Sequence, residues 1–381
     1  MPAAFGRFRP VGDVRRVRSA DVEVNFGGGP KRLARSTRVL NLRPADGLVP
    51  VDGQVHWSQL DALPQCLTVE WSGPERGIIE AVAARPGIRF LYWDDAVGDI
   101  DLTSTNLGTV RLNGAGLRSV RLPKSVGTLL LRRPPAALRV EAPEMGHGLD
   151  LRLFPYTSDL VVPDGLHRTR KVWLWVGGEM SAAVLAGLTD LEDLRLTFGE
   201  PPGVLTDLPE LGRHQRLHSL QLDDAYGLDP ENLPELPSLR HLTLNGTRRA
   251  TATAVKARLK GGAVTVSVNG AKSEAWLAAH MDNPFRDWVE DSEAFGQAAC
   301  AAYNRARRAV DAIAPEAPDR LDAAERALRG LVAELNVADD EHGLIDTNYR
   351  EQAWAVFCDL AKRLCVPETQ VTSWFDEGRR F

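Results

Sequence analysis

Between Leu188 and Gly246 one phrase occurs three times: Leu191-Glu-Asp-Leu194-Arg-Leu196, then Leu217-His-Ser-Leu220-Gln-Leu222, then Leu239-Arg-His-Leu242-Thr-Leu244-Asn245-Gly246. Each reads L-x-x-L-x-L. The closing leucines lie 26 and 22 residues apart, a period at which a chain lays down one supersecondary unit per repeat and buries its apolar side against the neighbouring units. The alternation within each phrase is that of a strand, whose side chains point to opposite faces in turn. The stretch therefore predicts three stacked strands with their leucines turned inward.

The same pulse runs outward from this stretch in both directions. Upstream stand Val39-Leu40-Asn41-Leu42, Leu67 to Trp71, Ile88 to Trp93, and Lys171-Val172-Trp173-Leu174-Trp175-Val176; downstream, Val264 to Val268 closes the series at Asn269-Gly270. Segments 55–63, 78–84, 181–188 and 251–259 are long enough for a helical turn or two between strands. Around Leu102, Leu112, Leu122 and Leu131 the pulse doubles, to a spacing of 9 or 10 residues. Ten residues cannot complete a coil whose minimum is about 20. Either each coil here carries two short strands on opposite walls, or the region is a slimmer β-coil without helix. Pro134, Pro135, Pro143, Pro155 and Pro163 exclude helix between Leu131 and Val162.

On the L-x-x-L-x-L phrases, residues from about 38 to 270 resemble the bacterial leucine-rich-repeat proteins. The resemblance implies an α/β repeat fold, a curved solenoid with a parallel β-sheet on its inner, concave face, used mostly to bind other proteins. That family shares no catalytic residues, so none carry over. After Lys272 the pattern turns helical: segments 275–280, 284–313, 319–335 and 347–365 are rich in Ala, Glu and Arg, and Pro367 suits the first turn of a last helix through Phe375. These predict a small all-α helical bundle, resembling the tails of other bacterial repeat proteins. The expected division is a cap over residues 1–37, the leucine-rich-repeat solenoid over 38–272 and a helical domain over 273–381.

Charge supports the break. From Ala275 onward there are 12 Lys+Arg against 20 Asp+Glu, and before it 34 against 31. The net charge of −5 and a pI near 6.0 argue against a protein that coats nucleic acid. No apolar run approaches the roughly 20 residues that span a bilayer. The arginine-rich start lacks the apolar core of a signal peptide. Cys66, Cys300, Cys358 and Cys365 are too few to staple a chain of 381 residues. A reducing cytoplasm is the expected setting.

If the leucines point inward, the residues between them face solvent. This places Arg111, Arg121, Arg152, Trp173, Trp175, Arg195, Gln221, Asp223, His241, Thr243 and Asn245 on the concave sheet, with Phe90 and Tyr92 joining if Ile88 and Leu91 keep the register. Exposed tryptophans beside arginines have the composition of an interface hot spot. A slip of one residue would instead send both indoles into the core. Arg111, Arg121, Arg132, Arg139 and Arg152 form one basic stripe only if the closely spaced strands share a face.

Catalytic and metal signatures fail on their residues. Gly27 to Lys31 lacks the P-loop spacing. His214 and His218 are four apart, but the glutamate a zinc-protease helix needs is missing. An EF-hand register between residues 338 and 349 would put Ala338 and Tyr349 at ligand positions. No cofactor is implied. Two alternatives to a binding module remain: an enzyme site at the seam of the two domains using His280, Asp282, His342 and Asp346, and nucleic-acid contact through Arg305, Arg307 and Arg308.

Overall fold

The leucine phrases and their weaker echoes pair into one long parallel sheet. The structure is a computed structural model and describes residues 21–155, 160–314 and 316–381. Strands β1 (Asp21–Val24) and β2 (Lys31–Ala34) form an antiparallel hairpin. Three strands follow one repeat apart, β3 (Val39–Leu42), β4 (Thr68–Ser72) and β5 (Phe90–Asp94), each parallel to the last. The next six are β6 (Val97–Asp101), β7 (Thr109–Asn113), β8 (Gly116–Arg121), β9 (Thr128–Arg132), β10 (Arg139–Glu141) and β11 (Asp150–Phe154). They alternate: the odd-numbered strands extend the long sheet and the even-numbered ones form a short parallel sheet of their own. After these come β12 (Lys171–Val176), β13 (Glu179–Ser181), β14 (Asp193–Phe198), β15 (Val204–Thr206), β16 (Ser219–Asp223), β17 (His241–Asn245) and β18 (Thr265–Asn269). All of these but β13 and β15 complete the long sheet, whose 11 strands stand in chain order. β13 and β15 pair with each other.

Register explains the phrases. Leu194, Leu220 and Leu242 occupy one row across the sheet and Leu196, Leu222 and Leu244 another. All six are buried, and the same two rows continue back through Leu40 and Leu42. Burying one such side chain contributes roughly 1.5–3 kcal/mol, so each added coil supports its neighbours. The doubled pulse is the two-strand coil: Ile100, Val120 and Val140 of the short sheet share one core with Val110, Leu129 and Leu151 of the long one. The corner from β7 to β8 turns at Gly114, where a Cβ would stand 2.0 Å from the Ala96 carbonyl oxygen. Val24 and Phe26 of the hairpin region belong to the same core; residues 1–20 of the expected cap lie outside the described residues.

Of the four expected connecting helices, two are α-helical, α1 (Ile78–Ala83) and α2 (Arg249–Arg258). The other two are 3-10 turns at Trp57–Ala62 and Ala182–Leu185.

The chain divides into two compact units at Ala271 and Lys272. The second contains α3 (Glu274–His280), α4 (Glu293–Asp311), α5 (Arg320–His342), α6 (Thr347–Arg363) and α7 (Glu368–Gly378). Helices α4 to α7 pack on Phe285, Trp288, Phe295, Leu328, Leu335, Phe357 and Trp374. The expected helix over 284–313 is broken. A 3-10 segment, Arg286–Glu290, precedes α4, and Ser292 caps α4 by accepting from the Phe295 amide. Residues 339–342, read as part of an inter-helix loop, form the last turn of α5, and Gly343 ends it in the left-handed conformation. Among the described residues no helix is long and apolar enough to cross a membrane.

Candidate interaction face

Period-two alternation leaves each long-sheet strand with two or three side chains on the side away from the core. Strand pairing lines these up in three rows. The middle row runs Glu70, Tyr92, Arg111, Leu130, Arg152, Trp173, Arg195, Gln221 and Thr243. The row toward the strand C-termini holds Arg132, Phe154, Trp175, Thr197, Asp223, Asn245 and Asn269. Phe90 and His241 belong to the row at the N-terminal ends. Twelve of the thirteen residues picked from the sequence thus stand on this sheet: Phe90, Tyr92, Arg111, Arg152, Trp173, Trp175, Arg195, Gln221, Asp223, His241, Thr243 and Asn245. Arg121 does not. It lies on β8 in the short sheet, between Asp101 at 2.7 Å and Glu141 at 2.9 Å. The ten-residue spacing moved it, since alternate pulses belong to different walls. Arg139 leaves the basic stripe for the same reason.

The tryptophans keep the outward register, with Val172, Leu174 and Val176 buried between them. Their environments differ sharply. Trp173 is flanked by guanidinium groups from strands on either side, Arg195 at 4.3 Å and Arg152 at 5.5 Å from the ring centroid. Phe154 meets its edge at 5.5 Å, and its indole N–H donates to Thr197 Oγ1 at 3.0 Å. Trp175 is 38% exposed, the one aromatic among the exposed large apolar residues described. It rests against Phe154 at 5.8 Å and over Gly199, where a Cβ would come within 2.6 Å of the indole nitrogen. Trp173 is therefore packed into the face, and Trp175 is presented by it.

Asp223 ties the region together and is itself buried, at 6% exposure. Its carboxylate accepts from Arg195 Nε at 2.7 Å, Thr197 Oγ1 at 2.9 Å, Gln221 Nε2 at 2.9 Å and Asn245 Nδ2 at 2.5 Å. Asn269 donates in turn to Asn245 Oδ1 at 2.9 Å, so a hydrogen-bonded chain crosses the sheet from β18 to Trp173 on β12. Burial pushes the Asp223 carboxyl up, but the hydrogen bonds from Gln221, Asn245, Arg195 and Thr197 outweigh it and hold the group below the ordinary carboxylate range. Both of its oxygens are thus engaged by side chains of the sheet itself.

Beside the N-terminal ends of β12, β14 and β16 runs an ion-pair lattice. Asp190 takes Arg168 at 2.9 Å and Arg216 at 3.7 Å; Glu192 takes Arg216 at 2.9 Å and also pairs with Arg170. The hydrogen bond from Arg168 chiefly holds the Asp190 carboxyl low, and that from Arg170 chiefly holds Glu192 low. Sequence reasoning missed this lattice, and it also missed Leu130, Phe154 and Thr197. The signal was the pairing register: Leu130 stands beside Arg111 and Arg152 although no L-x-x-L-x-L phrase marks it.

The seam candidates have local partners in the helical unit. His280 stacks on Trp276 at 4.4 Å, His342 meets Phe295 edge-on at 5.9 Å, and Asp346 caps α6 through the amides of Asn348 and Tyr349. Asp282 is exposed. Arg305 is paired with Glu334. Among the described residues no three His, Cys, Asp or Glu side chains group to hold a metal ion.

No family model matches the sequence, and no curated protein matches it. The crystal structure of an internalin (InlF) from Listeria monocytogenes is similar over 59% of this chain and 74% of its own, with 15% identity and a TM-score of 0.28. The architecture described above rests on the strand pairing, not on that likeness.

Proposed function

We propose that the chain is a non-catalytic interaction protein of the leucine-rich-repeat kind. Its solenoid extends from about residue 38, its first coil is closed by the Asp21–Ala34 hairpin, and a protein partner docks on the outward side of the long sheet. The observation that carries this is Trp175, a large exposed aromatic side chain held by Phe154 and Gly199 on a face that also carries Arg152 and Arg195 on the flanking strands. Aromatic anchors surrounded by arginine and partly covered side chains are where binding energy concentrates. The composition argues for a protein surface over nucleic acid, and four unpaired cysteines fit a reducing compartment.

The test is affinity capture with wild type, Trp175→Ala and Arg121→Gln as baits. A partner is expected to be retained by wild type and by Arg121→Gln, and to fall at least tenfold with Trp175→Ala. Equal retention by a folded Trp175→Ala protein sinks the proposal.

A further inference from the structure

Cations outnumber carboxylates on the middle strands of the face. An arginine brings five N–H donors and no acceptor, and a carboxylate only acceptors. Arg195 uses its Nε on Asp223, and Arg152 directs Nε and Nη2 onto one oxygen of Asp150. Arg111, stacked on Tyr92 at 4.4 Å, has a buried Nε with no hydrogen-bond partner. Two of the carboxylates nearby are engaged: Asp223 by four side chains, and Asp94 by Asn113 at 3.2 Å and Arg111 at 3.5 Å. Across the five strands β7, β9, β11, β12 and β14 the outward positions carry five cations and two carboxylates. The balance there is positive, around an exposed indole.

We infer that the partner presents an acidic protein segment to this face, and that Arg195, held in place by buried Asp223, selects for it. The inference rests on the docking face proposed above and adds the chemistry of what docks there. Charge complementarity carries it: carboxylates supply the acceptors that free guanidinium N–H groups lack, in the planar geometry those groups match. Trp175 supplies the apolar contact. A fixed Arg195 also loses less side-chain freedom on binding than a free one, since Asp223 and the Trp173 ring already restrain it.

The experiment uses the full chain and two pools of 14-residue peptides with a central Phe, one flanked by Asp and Glu, the other by Asn and Gln. Fluorescence polarisation is expected to show the acidic pool bound at least tenfold tighter. Arg195→Gln should cut that preference below threefold. Asp223→Asn should do the same, with circular dichroism confirming that it folds. Trp175→Ala should weaken both pools, and Arg121→Gln should change neither.

If the amide pool binds as tightly and depends on Trp175, the docking face survives and acid selection is overturned. If the acidic pool binds wild type, Trp175→Ala and Arg195→Gln alike, the face itself is wrong. Binding of neither pool overturns the inference. Displacement of the acidic pool by oligo(dT) at equal charge also overturns it, because the attraction would then be to anions at large.

Discussion

Arg121 and Arg195 occupy matching situations on two different sheets and have opposite surroundings. Each sits on a parallel strand with a carboxylate on a neighbouring strand. On the short sheet Arg121 lies between Asp101 and Glu141, and its side chain is 51% exposed. Asp101 is held low mainly by the hydrogen bonds from Thr103, with its pairing to Arg121 a lesser cause. On the long sheet Asp223 is covered by Thr197, Gln221 and Asn245, and its bond to Arg195 is shielded by Trp173. The same ladder geometry thus yields a solvated ion pair in one place and an ordered network in the other. What differs is the neighbouring rung, charged on one sheet and aromatic or amide on the other. Solvated pairs are screened and contribute little. A covered carboxylate with four donors fixes the side chains around it.

The largest expected effect lies where the sheets should not differ. Leu112 on the long sheet and Ile100 on the short one are both buried in the shared core. Leu112→Ala and Ile100→Ala should each cost about 2–5 kcal/mol in denaturant unfolding. A loss below about 1 kcal/mol for Ile100→Ala would make the short sheet a veneer and not a wall of the coil.

A smaller effect separates the two ladders. Asp223→Asn should cost about 1–3 kcal/mol, since it removes a charge and turns one acceptor into a donor facing donors already in place. The folded-state pKa is depressed, so the stabilisation is fully present above the ordinary carboxylate range, near pH 4, and is lost as pH falls through the lower folded value. Asp223→Asn should therefore flatten the acid limb of a melting-temperature profile below about pH 4. Arg121→Gln should leave the melting temperature unchanged. Equal effects from both variants would erase the contrast.

Much of this was legible in the sequence, and the failures are informative. The L-x-x-L-x-L phrases located β14, β16 and β17, and alternation alone turned Trp173 and Trp175 outward. Periodicity could not say which wall a ten-residue pulse joins, because both sheets alternate alike; Arg121 was misplaced for that reason. Nor could it distinguish an outward residue that meets solvent from one that its neighbours cover. Asp223 and Trp173 share the outward register with Trp175, yet cross-strand partners 22 to 28 residues away cover them. The length of α5 was missed because Asp339 to His342 reads as a polar loop, whereas helix stop chemistry begins only at Gly343.

The smallest effect extends the contrast from the outward carboxylate to a covered imidazole. His214, at the end of the turn Leu208–Arg213, is 5% exposed; its Nδ1 lies 3.0 Å from the Leu188 carbonyl oxygen and its Nε2 has no partner. Burial pushes its pKa down, and the backbone hydrogen bond only partly opposes this. The folded state therefore resists a proton that the unfolded chain accepts near pH 6.5. Stability from this site is full above that pH and declines as pH falls from it toward the lower folded-state value, well before Asp223 titrates. His214→Leu keeps the bulk and removes the titration, so the variant should lose part of the melting-temperature slope between about pH 7 and 5 while keeping the acid limb assigned to Asp223. An unchanged slope in that window would mean His214 is solvated in both states, and its burial in the coil would be wrong.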